Sequence, residues 1–567
     1  MQLKIKPFRF SVVLIFFIGL LFIFLGRLIF IQFVRSSFLS NLAAKQHNFY
    51  IELEPQRGTI YDRNMKPVAV NVASYSLYAV PPDVKDKKKV ARKLHELIGL
   101  EESFVLERLS RDKQFVWLVR KLDWQEMEKI KKQDMAGLAF IKESRRSYPN
   151  SRLASQLIGF AGLDNQGLDG LEKYYDDFLR GVSGWTFVLR DAKKRGLALS
   201  EAVEPPVDGY SLVLTIDQVV QYIAEREIDK VFEKYQAKGA TIVVLDVKTG
   251  KILAMASRPT YDLNEPSKYA VEARRNRAVT DFFEPGSVFK IVTATAALDS
   301  SEFDLKDRIF CENGQYKVFS HTLHDVHPYG WLSFQDVIVQ SSNIGTTKIA
   351  QKIGPECVYN YARRFGFGAS TNAGLPGEVS GILKPVSCWS KTSISAVPIG
   401  QEVCVTALQL ACAVSSIANG GIYMRPYILS AVIDRKGEVI KSFHPQAECR
   451  VMSVRTSRKM QQILEHVVER GTGKLAKSKQ YKFAGKTGTA QKVESNGTYS
   501  HTKFMASFIG YAPADHPEIA IVVTVDEPKP YYYGGVVSAP AFKVVAEDVL
   551  KYLQLNLNTQ DSDTYES

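Results

Sequence analysis

The sequence contains no C-x-x-C pair, and the chain before Cys311 contains no cysteine. The absence of closely spaced pairs argues against a zinc or redox centre. Six cysteines are compatible with disulfides in an exported protein, but buried free thiols are the simpler interpretation. They are Cys311, Cys357, Cys388, Cys404, Cys412 and Cys449.

A concentrated basic helix and a nucleic-acid recognition motif are also missing. The net charge of +13 comes from 73 basic and 60 acidic residues spread along the chain. This distribution argues against nucleic-acid binding. It favours a protein that works close to anionic lipid or an anionic polymer.

Residues 37–206 lack a phosphate-binding loop, a metal-ligand cluster and a convincing acid–base pair. We therefore interpret this stretch as a support or docking module that needs no metal or cofactor. Its hydrophobic periodicity predicts short strands and helices. The strands are expected at 68–80, 115–120 and 138–143, and the helices at 87–98, 102–112 and 124–134.

The sequence has few long apolar runs, and the one that bears on membrane attachment lies near the N-terminus. Lys4, Lys6 and Arg9 precede apolar residues from Phe10 onward to Phe33. A helix of this length spans roughly 35 Å, and the positive flank predicts a cytoplasmic N-terminus. A cleaved signal peptide has a shorter apolar core, so an uncleaved single-pass anchor is favoured.

From residue 210 onward, strands and helices predict an α+β domain with one antiparallel sheet flanked by helices. We expect strands at 211–216, 240–247, 251–257, 504–511 and 518–526, and helices at 218–234 and 541–553. The predicted organisation has four parts. They are a cytoplasmic stub and anchor at 1–36, a mixed α/β support module at 37–206, a catalytic domain at 207–555 and a disordered tail at 556–567.

A nucleophile with a neighbouring base is predicted at Ser287 and Lys290. The sequence Glu284-Pro285-Gly286-Ser287 breaks the preceding segment, and the apolar, alanine-rich run that follows predicts a buried helix. Lys290 would project from the same helical face as Ser287, and a desolvated lysine can take the serine proton. Chance S-x-x-K matches at Ser110 and Ser500 stand in polar segments, and we interpret both as solvated surface.

Two further motifs support this site. Ser341-Ser342-Asn343 follows an apolar helical run that Ser333 can cap, and it offers a hydroxyl for proton relay and an amide for positioning. Lys486-Thr487-Gly488-Thr489 alternates small and polar residues, as expected for a strand against which a ligand backbone lies. The backbone N–H groups of Ser287 and Thr489 can form an oxyanion hole. A second K-T-G at Lys248 is explained by a hairpin turn.

S-x-x-K, S-x-N and K-T-G in this order resemble the motif set of penicillin-binding proteins and class A β-lactamases. From the anchor to about Leu553, the chain resembles a class B penicillin-binding protein, closest to FtsI-type division transpeptidases and their sporulation relatives. Further stretches carry the resemblance. They are residues 57–63 (RGTIYDR), 146–149 (RSYP), 167–172 (GLDGLE), 276–281 (NRAVTD) and 533–535 (YGG).

The resemblance implies an enzyme that cross-links peptidoglycan stem peptides by D,D-transpeptidation, in septal wall synthesis during division, and that is a target of β-lactams. It implies catalytic roles for Ser287, Lys290, Ser341 and Asn343, and substrate binding by Lys486, Thr487, Gly488 and Thr489. The elongated support module then corresponds to the family's pedestal, or dimerisation-type, domain. The resemblance assigns a structural role there to Arg57, Asp62, Arg63, Arg146 and Glu172.

The resemblance further implies a catalytic domain on the periplasmic side of the cytoplasmic (inner) membrane. Because no glycosyltransferase module precedes the pedestal, we expect an FtsW-type glycan polymerase and other division proteins as partners. Arg27 and Gln32, which are costly in lipid, can face such a partner helix.

Several alternative functions fit the same sequence. An elongation-type or sporulation-type transpeptidase shares all the motifs. A class A β-lactamase needs a deacylating glutamate in a Glu-x-x-Leu-Asn setting, which is not found between the second and third motifs, and the pedestal argues against a D,D-carboxypeptidase. A β-lactam sensor or scaffold without turnover is the alternative from a different functional class.

Overall fold

The computed structural model describes residues 7–30, 32, 49–113, 115–190, 196–199, 204–319, 321–494 and 496–563. An N-terminal helix, Pro7–Ile29, covers most of the predicted apolar run, of which residues 31 and 33 lie outside the described residues. Among the helices described, none combines the length and apolarity needed to cross a membrane. The membrane anchor therefore stays a prediction.

The chain divides into two compact units. The first consists of the described parts of Met1–Gln56 and of Gly181–Asp208, and the second of Arg57–Arg180 with the described part of Gly209–Ser567. The first unit contains an antiparallel three-stranded sheet. Its strands, in spatial order, are Phe49–Leu53, Gly184–Arg190 and Gly196–Leu199.

In the second unit, Arg57–Arg180 is the pedestal part and the described residues from Gly209 onward are the catalytic part. The helices of the pedestal part have ends that follow from their capping residues. Asp86 accepts a hydrogen bond from the N–H group of Lys89 at the start of one helix, and Gly99 ends it with a left-handed φ of 69°. Asp123 and Glu126 form a capping box at the start of another. The helices of this part are Lys87–Ile98, Glu102–Ser110, Trp124–Lys131, Ser155–Ile158, Gly170–Tyr174 and Asp176–Leu179.

One sheet of seven strands crosses the boundary predicted between the pedestal and the catalytic domain. Ile60–Tyr61 of the pedestal pairs in parallel with Ser211–Leu214, which pairs in turn with Leu429–Ile433. The spatial order is Val439–Ser442, Leu429–Ile433, Ser211–Leu214, Ile60–Tyr61, Pro67–Ala79 and Val116–Leu122, with Leu138–Ser147 also paired to Pro67–Ala79. Shared strands therefore join the pedestal and the catalytic part within one unit.

The catalytic part is built on an antiparallel five-stranded sheet with a hydrophobic core on each face. Along Gly239–Asp246, Ile242 and Val244 pack into one core, while Val243 and Leu245 pack into the other. Alternate residues of a strand point to opposite faces, so a fully apolar strand fits a sheet that is covered on both sides. The spatial order is Ile252–Arg258, Gly239–Asp246, Ile519–Asp526, Tyr499–Ala512 and Ala484–Val493.

Helices cover this sheet on both sides. Residues of Gln218–Lys234 and of the last helix contribute to one core, and residues of Lys290–Asp299 and Ala407–Ala418 contribute to the other. The remaining helices are Arg277–Thr280, Phe334–Val339, Asn343–Ile353, Pro355–Arg364, Ser393–Ala396, Val454–Arg470 and Gly534–Val537. Three strand pairs complete the fold: Arg308–Phe310 with Trp331–Ser333, Gln315–Val318 with His321–His324, and Ile422–Met424 with Ala447–Arg450.

The C-terminal tail and the burial of the cysteines differ from the prediction. The last helix, Ala539–Asp563, extends into the segment for which the sequence predicts a disordered tail, because continuing a helix costs much less than starting one. All six cysteines are free thiols. The expectation that the thiols are buried holds for Cys311 and Cys412, whereas Cys357 and Cys404 are half-buried and Cys388 and Cys449 are exposed.

Candidate active site

The candidate nucleophile lies in a tight turn that leads into a buried helix. Residues Gly286–Phe289 form a 3-10 turn, and the α-helix Lys290–Asp299 continues from it. Gly286 has a φ of +57°, and a Cβ atom there would lie 2.8 Å from the carbonyl oxygen of Thr489. Glycine therefore allows the nucleophile turn to lie directly against the K-T-G strand. Ser287 is half-buried at this contact.

Lys290 is completely buried and directs its amine to the S-x-N turn. Its Nζ atom donates to the carbonyl oxygen of Ser341 at 2.6 Å, to Oδ1 of Asn343 at 2.7 Å and to the Ser341 hydroxyl at 3.1 Å. Burial disfavours the charged amine and lowers the pKa of Lys290 to about 7. A lysine with this pKa is partly neutral at neutral pH and can accept a proton.

Ser287 and Lys290, which the sequence predicts on the same helical face, are not hydrogen-bonded to each other. Within the described residues, the Ser287 side chain has no hydrogen-bond partner. All three donor positions of a protonated Lys290 are used by Ser341 and Asn343. A neutral Lys290 has only two N–H groups, and its lone pair is then available to the hydroxyl of Ser287 or Ser341.

Ser341 lies in a strained turn between two helices. Its φ of +62° is in the left-handed region, which a residue other than glycine rarely occupies. Ser333 caps the helix Phe334–Val339 before the turn, as predicted, and Ser342 caps the helix Asn343–Ile353 after it. The turn holds the carbonyl and the hydroxyl of Ser341 together on the Lys290 amine.

The amine of Lys486, on the central sheet, also donates a hydrogen bond to the hydroxyl of Ser341. This lysine lies on Ala484–Val493, the edge strand of the central sheet, and its buried Nζ donates to Ser341 Oγ at 2.9 Å. Burial first, and then the positive charge of Lys290, lower the pKa of Lys486 well below the usual lysine value. Ser341 therefore bridges two buried amines, which is an arrangement suited to moving a proton between them.

The other residues of the K-T-G strand lie beside this bridge. The Thr487 and Thr472 hydroxyls share a hydrogen bond of 2.7 Å, and Thr489 Oγ1 accepts one of 3.1 Å from the N–H group of Gly534. No acceptor for the Thr489 hydroxyl proton is found in the described part of the chain, so this proton is available for a ligand. A Cβ atom at Gly488 would lie 2.3 Å from the Ser507 hydroxyl, so this position has no room for a side chain.

A residue that the sequence analysis did not single out also belongs to the site. Asp325 follows the strand His321–His324 and accepts hydrogen bonds from the N–H groups of Asn343 and Ile344. Its negative charge opposes the effect of burial on the pKa of Lys290. An aspartate in a polar loop carries no sequence signal of this role, because the contacts arise only when the loop packs on the helix.

The predicted pedestal residues form a buried ion cluster apart from the catalytic groups. Arg57 Nε and Arg146 Nε donate to the two carboxylate oxygens of Glu172 at 2.5 and 2.6 Å, and Arg57 also pairs with Asp176 at 2.6 Å. Desolvation would raise the pKa of Glu172, but the two arginines outweigh it and hold that pKa below the usual value. This cluster joins segments that lie more than a hundred residues apart in the sequence.

Asp62 and Arg63 lie outside this cluster. Asp62 accepts hydrogen bonds from the N–H groups of Asn64 and Lys66, each at 2.8 Å, and from Gln218 N at 3.2 Å, so it ties the pedestal to the first helix of the catalytic part. Arg63 contributes only its backbone N–H group, which bonds to Ile216. Its exposed side chain has no partner among the described residues.

The chance motif matches at Ser110, Ser500 and Lys248 take no part in the bridge. Ser110 is exposed, as predicted, whereas Ser500 is buried and its interpretation as a surface residue is wrong. The Ser500 hydroxyl accepts from the backbone N–H of Lys503, whose amine pairs with Glu494. The K-T-G at Lys248 forms the predicted hairpin turn between Gly239–Asp246 and Ile252–Arg258.

Comparisons with known proteins agree with this architecture. Residues 240–547 match the penicillin-binding protein transpeptidase domain, and residues 52–214 match the penicillin-binding protein dimerisation domain. Stage V sporulation protein D of Bacillus subtilis is 36% identical over 558 residues, covering 96% of this chain and 86% of the relative. Peptidoglycan D,D-transpeptidase FtsI of Escherichia coli is 32% identical over 555 residues, covering 95% and 92%.

Solved structures show the same relationship. Penicillin-binding protein 2X of Streptococcus thermophilus matches with a TM-score of 0.75 and 26% identity, over 89% of this chain and 80% of its own. Penicillin-binding protein 3 of Mycobacterium tuberculosis, solved with aztreonam, matches with a TM-score of 0.70 and 28% identity, over 89% and 97%. The chain therefore belongs to the penicillin-binding protein transpeptidases, as its resemblance to the class B, FtsI-type members implies.

Proposed function

We propose that this chain is a serine D,D-transpeptidase that cross-links peptidoglycan stem peptides and is acylated by β-lactams. The observation that carries the proposal is the bridge of Lys290, Ser341 and Lys486 beside Ser287. Two buried amines on one hydroxyl supply both a base for the nucleophile and a route for its proton. The name of one relative, a peptidoglycan D,D-transpeptidase, supports the same substrate class.

In the acylation step, Ser287 Oγ attacks the carbonyl carbon of the penultimate D-alanine, and its proton passes to the neutral Lys290 amine. The Ser341 hydroxyl delivers a proton to the nitrogen of the terminal D-alanine and recovers one from the amines behind it. The amide bond breaks, the terminal D-alanine leaves, and an ester forms on Ser287. The backbone N–H groups of Ser287 and Thr489 stabilise the negative oxygen of the tetrahedral intermediate.

In the second step, the amine of a neighbouring stem peptide attacks the ester carbonyl. The amine loses a proton, Ser287 recovers one, and the new amide is the cross-link. Asn343 keeps the Lys290 amine in place through its Oδ1 atom. Lys486, Thr487 and Thr489 attract and hold the carboxylate of the donor, and Gly488 lets its backbone lie close to the edge strand.

We place the chain at the cytoplasmic membrane, with the apolar run as a single-pass anchor and the catalytic part outside. We assign it to septal wall synthesis with an FtsW-type polymerase as partner, with elongation or sporulation as the alternative role. Arg27 and Gln32 are the residues expected to face the partner helix. Replacing both with leucine should lower the recovery of the polymerase with the full chain, and unchanged recovery would contradict the contact.

Labelling with a fluorescent penicillin tests the catalytic proposal. We expect a stable adduct in wild type and in the exposed control Ser110→Ala, and none in Ser287→Ala. Rapid loss of the label from wild type would favour a β-lactamase. A stable adduct without cross-linking of stem peptides would favour a sensor or scaffold, and folded wild type that takes no label would overturn the proposal.

A further inference from the structure

The carboxylate of Asp325 holds the start of the helix that carries Asn343. Its Oδ1 atom accepts hydrogen bonds from the N–H groups of Asn343 at 2.5 Å and Ile344 at 3.1 Å. Its Oδ2 atom accepts the Ser342 hydroxyl at 2.6 Å. One carboxylate thus satisfies two of the unpaired N–H groups at this helix end and fixes the residue that caps the helix.

The same loop determines which way the Asn343 amide faces. Asn343 Nδ2 donates to the carbonyl oxygen of His324 at 3.1 Å, so Oδ1 is the atom left to accept from Lys290 at 2.7 Å. An amide turned by 180° would direct its NH₂ group at the lysine amine and lose both bonds. The pair His324 and Asp325 therefore controls one of the three acceptors around Lys290.

Asp325 is also the counter-charge of this region. Other titratable groups near Asp325 are the thiol of Cys311, the phenol of Tyr329 and the imidazole of His324, which directly precedes Asp325 in the sequence. Burial raises the pKa of both Cys311 and Tyr329, so these two stay neutral at physiological pH. Lys348, a charged group near Cys311, pairs with a carboxylate of its own, that of Glu312, at 2.5 Å.

Two amines, those of Lys290 and Lys486, are buried on one hydroxyl, and Asp325 is the carboxylate whose charge acts on Lys290. We propose that Asp325 is a positioning residue for acylation, whose carboxylate fixes Asn343 against the Lys290 amine and places a negative charge behind it. This inference rests on the proposed function, because it concerns the base of that reaction. Asp325 acts through Asn343 and Lys290 and has no hydrogen bond to the nucleophile.

The test is the pH dependence of acylation by a chromogenic or fluorescent penicillin in the full chain. If neutral Lys290 is the base, the second-order rate rises with pH through a midpoint near the pKa of about 7. Asp325→Asn keeps a carbonyl oxygen for the two N–H groups but removes the charge. Because the charge favours protonated Lys290, its loss should move the midpoint to lower pH by roughly 0.5–1 unit.

Asp325→Ala and a control variant at another helix cap separate the effect of the charge on the midpoint from the effect of the cap on stability. Asp325→Ala also loses the helix cap, so we expect the same shift in midpoint together with a plateau rate lowered about tenfold or more. Asp217 is the control, because it caps the helix Gln218–Lys234 through the N–H groups of Val219 and Val220 and is not part of the site. Asp217→Ala loses a helix cap in the same way, so it should lower the melting temperature and leave the midpoint in place.

The outcomes distinguish this inference from the proposed function. If wild type is acylated at Ser287 and Asp325→Asn keeps the wild-type midpoint, the inference is wrong and the proposed function stands. A midpoint that moves equally in Asp217→Ala would also overturn it, because the effect would then come from general destabilisation. If wild type is not acylated at all, the proposed function fails before Asp325 is tested.

Discussion

Lys486 donates a hydrogen bond of 2.9 Å to the hydroxyl of Ser341. The bond connects the edge strand of the central sheet to a turn between two helices, and a second lysine reaches the same oxygen from the nucleophile helix. A hydroxyl can accept from one amine and donate to the other, so it can pass a proton between them. The S-x-x-K and K-T-G motifs are thus joined through the first residue of S-x-N.

Replacing Ser341 tests the relay separately from the backbone strain. Ser341→Ala and Ser341→Gly both remove the hydroxyl, and each should lower the acylation rate by about 10²–10⁴. Glycine tolerates the φ of +62°, whereas alanine does not. Ser341→Gly should therefore be more stable than Ser341→Ala by about 1 kcal/mol, measured by urea unfolding. Equal stability would show that the turn relaxes, and near-normal acylation in both would exclude the relay.

The buried amine of Lys290 makes stability depend on pH in a direction that can be stated. The folded chain holds the pKa of Lys290 at about 7, whereas the usual value is 10.5. Between these values the unfolded chain binds the extra proton, so the free energy of unfolding should rise with pH from 7 to about 10. Over the whole window the contribution of this lysine is roughly 3–5 kcal/mol.

Lys290→Met checks this pH dependence. Methionine has a similar length and cannot be protonated, so the slope of stability against pH should be smaller than in wild type. Some slope should remain, because the pKa of Lys486 is lowered as well. Urea unfolding at pH 7, 8 and 9 gives the comparison. An unchanged slope would mean that Lys290 is protonated in the folded chain throughout this range.

Local sequence signals predict the elements well and their pairing poorly. The bounds of Lys87–Ile98 and Gln218–Lys234 agree with the prediction because a capping aspartate stands before each helix. The seven-stranded sheet could not be predicted, since Ile60–Tyr61 pairs with Ser211–Leu214 about 150 residues later in the chain. Neither strand carries a signal that names its partner.

The candidate site likewise contains residues that the sequence predicts and contacts that it does not. Ordered motifs predict Ser287, Lys290, Ser341, Asn343 and Lys486 as site residues, because each motif places its groups on one short segment. Asp325 was missed because its role depends on a loop packing against a helix. The contact of Lys290 with the Ser341 carbonyl was also unpredictable, since it requires the left-handed turn that the structure places there.

The pedestal cluster should matter for stability but not for chemistry. Glu172 is completely buried between Arg57 and Arg146, so Glu172→Gln leaves two arginines without their shared counter-charge. We expect a loss of about 3–5 kcal/mol of stability. The folded fraction should still be acylated at the wild-type rate.

Glu107→Gln is the matched control for this prediction. Glu107 pairs with Arg111 on an exposed helix face, where solvent screens the interaction, so no measurable change in melting temperature is expected. A similar loss of stability in both variants would mean that the buried Glu172 cluster stabilises the fold no more than an exposed ion pair does. Slower acylation by folded Glu172→Gln would point to an effect of the pedestal on the catalytic groups.

The hydroxyl of Thr489 provides the sharpest test of how a ligand carboxylate is held. It accepts from the N–H of Gly534 and keeps its own proton for a ligand. Thr489→Val keeps the shape and removes the donor, so acylation by penicillin should fall about 10–100-fold, as expected for a hydrogen bond to a charged group. Thr489→Ser retains the hydroxyl and should stay within about threefold of wild type.

A penicillin ester, in which the carboxylate is masked, completes a cycle with these variants. If Thr489 acts through the carboxylate, the change to valine should cost little with the ester, and the two losses should not add. If valine lowers acylation equally for the free acid and the ester, the hydroxyl acts by supporting Gly534 and not by binding the ligand. The ratio of second-order acylation rates for the two compounds, measured in wild type, Thr489→Ser and Thr489→Val, decides between these roles.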